Sequence, residues 1–543
     1  MQLDLLLTHA NAITLDESRP TARTLGVWNG RFVGVDEEVE GMSAKETVDL
    51  GGSTVLPGFN DVHCHTSWFG LTLASVDVEH LPGGLPEVYA KLAEAAQSLP
   101  DGEWINATGY SHHDYEGQYP DIGILDKLAE GRPLVIRQVS GHSSIANTKA
   151  LELAGVLEDG FTDPEGGKVV RGADGRPTGL IEETAQNLVL DLVRPYSVDT
   201  LVNALDLATA YYAKEGITSF GDAGIASGWI GHSPIELTAY MRARAEGKLH
   251  ARGQLMPAIQ ALHEIAANPA DDFGIGLDLG LTTGFGDEVL SIGPTKIYMD
   301  GALSGETAAL SENYPCKCHA GYLQADEEWL RRVTLDAYRS GWSVAVHAIG
   351  DLAVTKAIEN IVEAQTLYGR RAIPNRIEHA AMVTDDQLPV LAEHGIAVTP
   401  QAAFFDSIGD GMAASLGEKW LPTLYRGAGF VRNGVLMPGS SDRPCAEGNV
   451  LRGIQAFVDR KSRSGVTIGP EAECLTPAEA VTAYTKVSAE ASGHGALKGT
   501  LSAGKLADLV VLGASPMEVD PTTIKDIPVH ATLMGGTWTH NAL

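Results

Sequence analysis

Short β-rich segments at both ends of the chain enclose a long middle region, where apolar β-rich segments alternate with helix-periodic ones. Parallel strands need long crossover connections, usually helices, so this alternation predicts parallel βα units. Helix patterns lie, for example, at 85–99, 201–214 and 352–368. Eight parallel strands with helices outside predict an α/β fold, a (β/α)8 TIM-like barrel. The candidate strands are 53–65, 216–222, 250–257, 291–300, 343–347, 376–379, 396–400 and 435–440.

Both ends of the chain have the same sequence pattern, which is typical of short strands and turns. Asn29-Gly30 between two apolar runs predicts a hairpin. Neither end has enough apolar sequence for a core of its own, so we expect both to form one composite β-sandwich domain. It would comprise residues 1–56 plus 490–543, with the barrel over 57–70 plus 200–489.

About 150 residues separate the first and second candidate strands, which is far longer than a simple βα connection. This stretch contains helix patterns, an apolar strand at 134–139 and a Gly/Asp-rich run at 159–179. We expect an inserted α+β region over 71–199 that caps the substrate site at the top of the barrel.

Composition narrows the class of protein. Hydrophobic residues make up 44% and charged residues 20% of the 543 residues, as in soluble globular enzymes. The net charge of −31 disfavours nucleic acid and anionic lipid as partners. No apolar run of ~18 residues is present, so we expect no membrane segment. We also expect no secretory signal, because the first residues carry no basic region.

The cysteines are odd in number and scattered, which favours a reducing, cytoplasmic location without a disulfide framework. They are Cys64, Cys316, Cys318, Cys445 and Cys474.

His63 and His65 end the first candidate strand of the middle region. Side chains alternate along a strand, so both imidazoles point to one face and form half of a divalent-metal site. The pair alone is weak evidence, since short motifs match by chance. Four further residues lie at or near the ends of later candidate strands: Lys296, His347, His379 and Asp442. Each alone could be a hydrogen-bonded core residue or a helix cap, but together they predict a metal site at the rim of a barrel.

The combination resembles the amidohydrolase superfamily, and within it the amidohydrolase-3, YtcJ-like group. The resemblance rests on five segments and covers nearly the whole chain. They are 57–65, Lys296 with Asp300-Gly301, 377–380, 439–442 and 499–509. No single motif is specific, but the set is.

The resemblance implies a site for one or two divalent metals, zinc being expected. His63 and His65 would bind the more buried metal, and His347 and His379 the more exposed one. Lys296 would be carboxylated by CO2 and bridge the two; an unmodified Lys296 would instead leave a mononuclear site or pair with Asp300. A carbamate is an anionic bidentate ligand, which offsets repulsion between two cations.

The resemblance also implies roles in catalysis. Asp442 would complete the metal site and move a proton from the attacking hydroxide to the leaving nitrogen. His142, in the inserted region, would steady the oxyanion, unless it is a loop residue remote from the chemistry. Trp68 and Tyr298 are expected to line the substrate pocket, although aromatic residues there are equally often plain packing. Asp222 is expected to face the pocket.

The expected function is hydrolysis of a non-peptide C–N bond in a small amide-type molecule, such as an N-acyl or N-formyl amide or a carbamate, by metal-activated hydroxide. One alternative is a mononuclear deaminase or cyclic amide hydrolase. Another is a non-catalytic interaction protein, against which the intact ligand set argues. A homodimer is the default expectation.

Overall fold

The computed structural model describes residues 2–79, 81–99, 102–138, 143–164, 167–194, 196–227, 233–265, 268–303, 306–315, 317–416 and 419–543. The chain divides into two compact units. The first unit comprises Met1–Thr66 and Ala208–Leu543, and the second comprises Ser67–Leu207.

The first unit begins with a run of short strands. They are β1 (Gln2–Thr8), β2 (Asn11–Ile13), β3 (Thr21–Ala22), β4 (Leu25–Trp28), β5 (Arg31–Val35), β6 (Ser43–Asp49), β7 (Thr54–Pro57) and β8 (Phe59–Cys64). One sheet has the order β5-β4-β1-β6. β4 and β5 pair antiparallel across Asn29-Gly30, where both residues have positive φ (51° and 74°). The predicted hairpin is therefore confirmed, with the left-handed turn that Asn-Gly favours.

The second unit is built around a six-stranded sheet of order β13-β14-β12-β11-β10-β9. Apolar residues cover both faces of this sheet: Ile136 of β11 belongs to one core cluster and its neighbour Val135 to another. The elements of this part of the chain are α1 (Thr66–Leu73), β9 (Val76–Asp77), α2 (Leu85–Ser98), β10 (Ile105–Tyr110), α3 (Ile122–Leu128), β11 (Leu134–Gln138), β12 (Ser143–Ala146), α4 (Thr148–Leu153), β13 (Gly167–Arg171), β14 (Pro177–Glu183), α5 (Asn187–Val193) and α6 (Val198–Lys214).

The remainder of the first unit alternates strands and helices before returning to strands. The elements are β15 (Ile217–Ile225), α7 (Ile235–Ala245), β16 (Arg252–Pro257), β17 (His263–Glu264), β18 (Ile275–Gly276), β19 (Leu290–Ile292), β20 (Thr295–Tyr298), α8 (Glu327–Arg339), β21 (Val344–Ala348), α9 (Asp351–Tyr368), β22 (Arg376–His379), α10 (Gln387–His394), β23 (Ala397–Thr399), α11 (Phe404–Leu416), α12 (Ala428–Arg432), α13 (Val450–Asp459), α14 (Pro477–Thr482), α15 (Ser488–Ala491), β24 (Leu509–Leu512), β25 (Val529–Met534) and β26 (Thr537–Asn541).

Two four-stranded parallel sheets carry the α/β character of the first unit. Their orders are β19-β16-β15-β8 and β20-β21-β22-β23. Apart from the partly exposed His347 of β21, the strand residues are buried in both sheets, as expected when parallel strands are covered on both faces. An isolated bridge between Ala258 and Lys296 links the end of β16 to β20.

Two predicted strands are each divided in the structure. Segment 53–65 is β7 and β8, which belong to different sheets and are separated by Gly58. A Cβ on Gly58 would lie 2.3 Å from Thr218, so the close approach at this break requires glycine. Segment 291–300 is likewise β19 and β20, separated by Gly293-Pro294.

The predicted strand 435–440 is not a regular strand. Pro438 has no N–H to donate within it. Its carbonyls are nevertheless used: Val398 N–H donates to Leu436 O (2.9 Å), and Val62 N–H donates to Gly439 O (3.2 Å). The segment is therefore hydrogen-bonded to both β23 and β8.

Strands from both ends of the chain share one sheet, of order β26-β25-β24-β7-β2-β3. β24 pairs antiparallel with β25 on one side and with β7 on the other. A buried ion pair lies at the start of β24, where Arg252 Nε and Nη2 donate to the Asp508 carboxylate at 2.7 and 2.9 Å. None of the helices in the described ranges has the length and apolar character needed to cross a bilayer.

Candidate metal centre

His63 and His65, at and just beyond the end of β8, converge on one carboxylate. Asp442 Oδ1 lies 3.2 Å from His63 Nε2 and 2.9 Å from His65 Nε2. One ligand atom from each of the three residues lies within 4.8 Å of the others, and all three side chains are buried. Two imidazoles and a carboxylate are a donor set typical of zinc and related cations.

The other predicted ligands lie on the neighbouring strands β20, β21 and β22. The rings of His347 and His379 are 4.4 Å apart between centroids, and the His379 ring is 5.1 Å from that of His63. Lys296 Nζ lies 3.4 Å from His63 Nε2. The structure thus brings the four histidines, Lys296 and Asp442 together around one cavity of about 230 Å³.

Glu378 orients His63. Its carboxylate accepts a short hydrogen bond from His63 Nδ1, which directs Nε2 into the cavity. Arg376 Nε and Thr399 Oγ1 each donate to Glu378 at 2.8 Å. Against the effect of burial, the Arg376 guanidinium holds the pKa of Glu378 well below its usual range. A carboxylate behind a ligating histidine fixes its tautomer and raises its basicity.

Gln401 orients His379 in a similar way. Its Oε1 lies 2.7 Å from His379 Nδ1, while its amide nitrogen donates to Thr399 O at 2.6 Å. His379 and Asp442 both have left-handed backbones, with φ of 70° and 60°. Such conformations are costly for non-glycine residues and are concentrated at functional sites.

Backbone hydrogen bonds fasten the end of β8 to segment 441–443. Asp442 N–H donates to His63 O and His65 N–H donates to Arg443 O, both at 2.7 Å. Asp61 accepts the backbone N–H groups of His63 (3.2 Å) and Ser441 (3.1 Å). The positions of the histidine pair and of Asp442 are therefore set by one another.

The carboxylates of Glu378 and Asp442 raise the pKa of His63 against the effect of burial. Burial favours the neutral, metal-binding form of the other three imidazoles, those of His65, His347 and His379. It lowers the pKa of His65 to about 4 and that of His347 to about 3. Burial also lowers the pKa of Lys296 to about 8. Asp300, 3.5 Å from His347, accepts backbone N–H groups of Ala309, Ile349 and Gly350, and burial raises its pKa to about 7.

Of the predicted substrate contacts, Tyr298 lines this cavity, with its ring centroid 5.3 Å from Lys296 Nζ. Asp222 is buried beneath the Tyr240 hydroxyl, which donates to it, and is not among the described residues that line the cavity. Trp68 belongs to α1 and lines a different cavity within the second unit. His142 lies outside the described residues.

The remaining wall of the cavity is mainly apolar. Its side chains are Leu303, Ile349, Phe404, Ile408, Met412 and Tyr425. The Phe404 ring stacks on His379, with centroids 6.3 Å apart. An uncharged, apolar substituent fits such a wall better than a charged one.

Patterns in the sequence predict no role for Glu378, Arg376 or Gln401. A signal for the first two was present, because they lie two residues apart on one short strand and so share one face of it. Gln401 follows a short strand and carries no such pattern.

The chain is similar in sequence to known proteins along most of its length. The sequence profile described as the amidohydrolase family matches residues 46–540. The chain is 30% identical to YtcJ of Bacillus subtilis over 510 residues, which is 92% of this chain and 91% of that protein. It is 29% identical to the N-substituted formamide deformylase of Arthrobacter pascens over 552 residues, covering 98% and 97% of the two chains.

A solved structure is similar in fold. It is an uncharacterized metal-dependent hydrolase from Pyrococcus furiosus, with a TM-score of 0.77 at 23% identity, covering 95% of this chain and 100% of that one. With the profile match extending over most of its length, the chain belongs to the amidohydrolase family.

Proposed function

We propose that this protein is a metal-dependent hydrolase of a non-peptide C–N bond in a small, uncharged amide, most specifically an N-formyl or N-acyl amide. The observation that carries the proposal is the convergence of His63, His65 and Asp442 to within 4.8 Å in a buried cavity. The similarity to an N-substituted formamide deformylase supports the choice of bond, and the apolar wall supports the choice of substituent.

The residues of the site fit a divalent cation. Neutral imidazoles and an ionised carboxylate are the ligands that zinc accepts. His63, His65 and Asp442 would hold one ion, and His347 and His379 a second, with a carboxylated Lys296 between them. When bound, such a cation polarises a carbonyl oxygen and lowers the pKa of water toward ~7.

Asp442 is our candidate for moving the proton. Against the effect of burial, His63 and His65 hold the pKa of Asp442 well below its usual range, so its carboxylate would enter the reaction ionised. It would take the proton of the attacking water and return it to the leaving nitrogen. The apolar wall around Phe404 and Met412 would orient the substituent and exclude bulk water from the reacting carbonyl.

We further propose that the two four-stranded parallel sheets close into one (β/α)8 barrel. The Ala258–Lys296 bridge supports closure at one junction. The hydrogen bonds that segment 435–440 makes to β23 and to β8 support it at the other. In such a barrel the site lies at the carboxyl ends of the strands, where these enzymes place their catalytic residues.

The test is to load the protein with zinc and assay N-benzylformamide, N-benzylacetamide and a formamide with a charged substituent. We expect hydrolysis of the uncharged amides, with formate or acetate and benzylamine as products, and at least tenfold lower kcat/KM for the charged analogue. His63→Ala should lose both zinc and activity.

The deaminase alternative predicts ammonia release from heterocyclic substrates and one zinc per chain. Ammonia release without amide hydrolysis would replace the proposal. Full zinc occupancy in His63→Ala would contradict the ligand assignment.

A further inference from the structure

The second unit contains a cavity of its own that two arginines line. Its volume is about 400 Å³, within the ~300–1,000 Å³ typical of small-molecule sites. Arg137 comes from β11, and Arg194 immediately follows α5. This cavity contains none of the predicted metal ligands.

Neither guanidinium has an acidic partner among the described residues of this unit. Glu103 also lines the cavity but is exposed and forms no ion pair with either arginine. Burial, together with the nearby charge of Arg194, lowers the pKa of Arg137, yet a guanidinium keeps its proton at neutral pH. A partly buried cation without a counter-charge is costly, and an anion bound beside it would relieve that cost.

Neutral polar groups and aromatic rings complete the lining. Ile105 and Ala107 of β10 are buried in the core cluster on one face of the sheet. Asn106 and Thr108 alternate with them along the strand and therefore face the opposite side of the sheet. Both can hydrogen-bond to a carboxylate or to a neighbouring polar atom. Trp68 and Trp104 contribute apolar surface to the same cavity.

We propose that this cavity binds a small organic carboxylate that carries an aromatic ring. The carboxylate would lie between Arg137 and Arg194, whose planar guanidinium groups match its two oxygens. The ring would pack against Trp68 and Trp104. A bare inorganic anion would use the arginines but leave the tryptophan surface uncovered. The proposal does not depend on the metal centre or on its reaction.

Isothermal titration calorimetry of the full-length, zinc-loaded protein tests this with phenylacetate and its neutral isostere phenylacetamide. We expect phenylacetate to bind at least tenfold more tightly than phenylacetamide. Arg137→Gln and Arg194→Gln should each weaken phenylacetate binding at least tenfold. Arg176→Gln, which removes an exposed arginine of the same unit outside this cavity, is the matched control and should bind as the unaltered protein does.

His63→Ala separates this cavity from the metal centre, where a carboxylate could also bind. Phenylacetate binding that survives His63→Ala and is lost in the arginine variants supports the proposal. Phenylacetate binding that is lost in His63→Ala and kept in both arginine variants overturns the proposal. Equal binding of phenylacetamide, or tighter binding of inorganic phosphate, also overturns it. The comparison of the two ligands uses the unaltered protein, so it stands even if an arginine variant fails to fold.

Discussion

At the scale of single residues, the site depends on a few buried polar side chains that have more than one partner. Asp442 contacts both His63 and His65 through one oxygen, and its left-handed backbone directs it there. Glu378 contacts His63 from the opposite side of the ring. We therefore propose different tasks for the two carboxylates, which separate substitutions can distinguish.

Replacing Asp442 by asparagine should leave zinc content nearly unchanged while kcat falls about 100-fold or more, because the proton acceptor is lost but an oxygen ligand remains. Elemental analysis and steady-state kinetics measure the two effects. Asp272→Asn, at an exposed aspartate, serves as the control and should change neither. An unaltered kcat in Asp442→Asn would remove Asp442 from proton transfer.

Replacing Glu378 by glutamine should weaken zinc affinity about 10- to 100-fold, because an amide cannot hold His63 as a carboxylate does. Competition with a chelator measures this affinity. Glu473→Gln is a matched control, since Glu473 is also buried and paired with an arginine, Arg426, but does not line the metal cavity. If both variants retain zinc equally well, Glu378 has only a structural role.

At the scale of elements, the junction of β7 and β8 carries the chain from the sheet of the two ends into the sheet that holds the histidine pair. Gly58 is the junction residue. Thr218, at the start of β15, approaches it too closely for any side chain.

Gly58→Ala should therefore reduce the free energy of unfolding by about 1–3 kcal/mol, the usual effect of overpacking. Urea denaturation measures this change. Gly411→Ala is the control: Gly411 lies in α11 with open space around it, so alanine there should stabilise the protein slightly. Equal stability of the two variants would show that the strands move apart at little cost.

At the scale of the whole molecule, contacts between distant parts of the sequence join the first unit together. β24 pairs with β7, more than 450 positions earlier in the chain. Arg252 and Asp508 are 256 positions apart and almost fully buried. The ion pair connects β16, one of the parallel strands, to the start of β24 in the sheet that both ends of the chain share.

Asp508→Asn should lower the free energy of unfolding by about 3–5 kcal/mol, because the Arg252 charge stays buried without its partner. Thermal unfolding monitored by circular dichroism detects the loss as a lower Tm. Glu312→Gln breaks the exposed pair with Lys419 and should leave Tm almost unchanged. A similarly small change in Asp508→Asn would mean that water reaches the pair.

Local patterns in the sequence were reliable where a short-range cause sets the structure. The Asn29-Gly30 hairpin and the helices α2, α6 and α9 lie where turn chemistry and apolar periodicity predicted them. The sequence did not predict the strand divisions at Gly58 and at Gly293-Pro294, because an apolar run does not show whether its residues belong to one sheet or to two. Segment 435–440 was wrongly predicted as a strand, since its hydrogen bonds come from distant elements.

The six candidate metal ligands that line the cavity could be identified from the sequence alone, because residue type and strand position indicate metal-binding chemistry. The tertiary structure decided which groups hold them, since Glu378 and His63 are 315 positions apart and only folding brings them into contact. It also placed Trp68 in a separate cavity, which Arg137 and Arg194 line as well. The candidate metal-binding residues can be recognised from their own chemistry. The orientation of their side chains depends on contacts between distant residues, which no local pattern encodes.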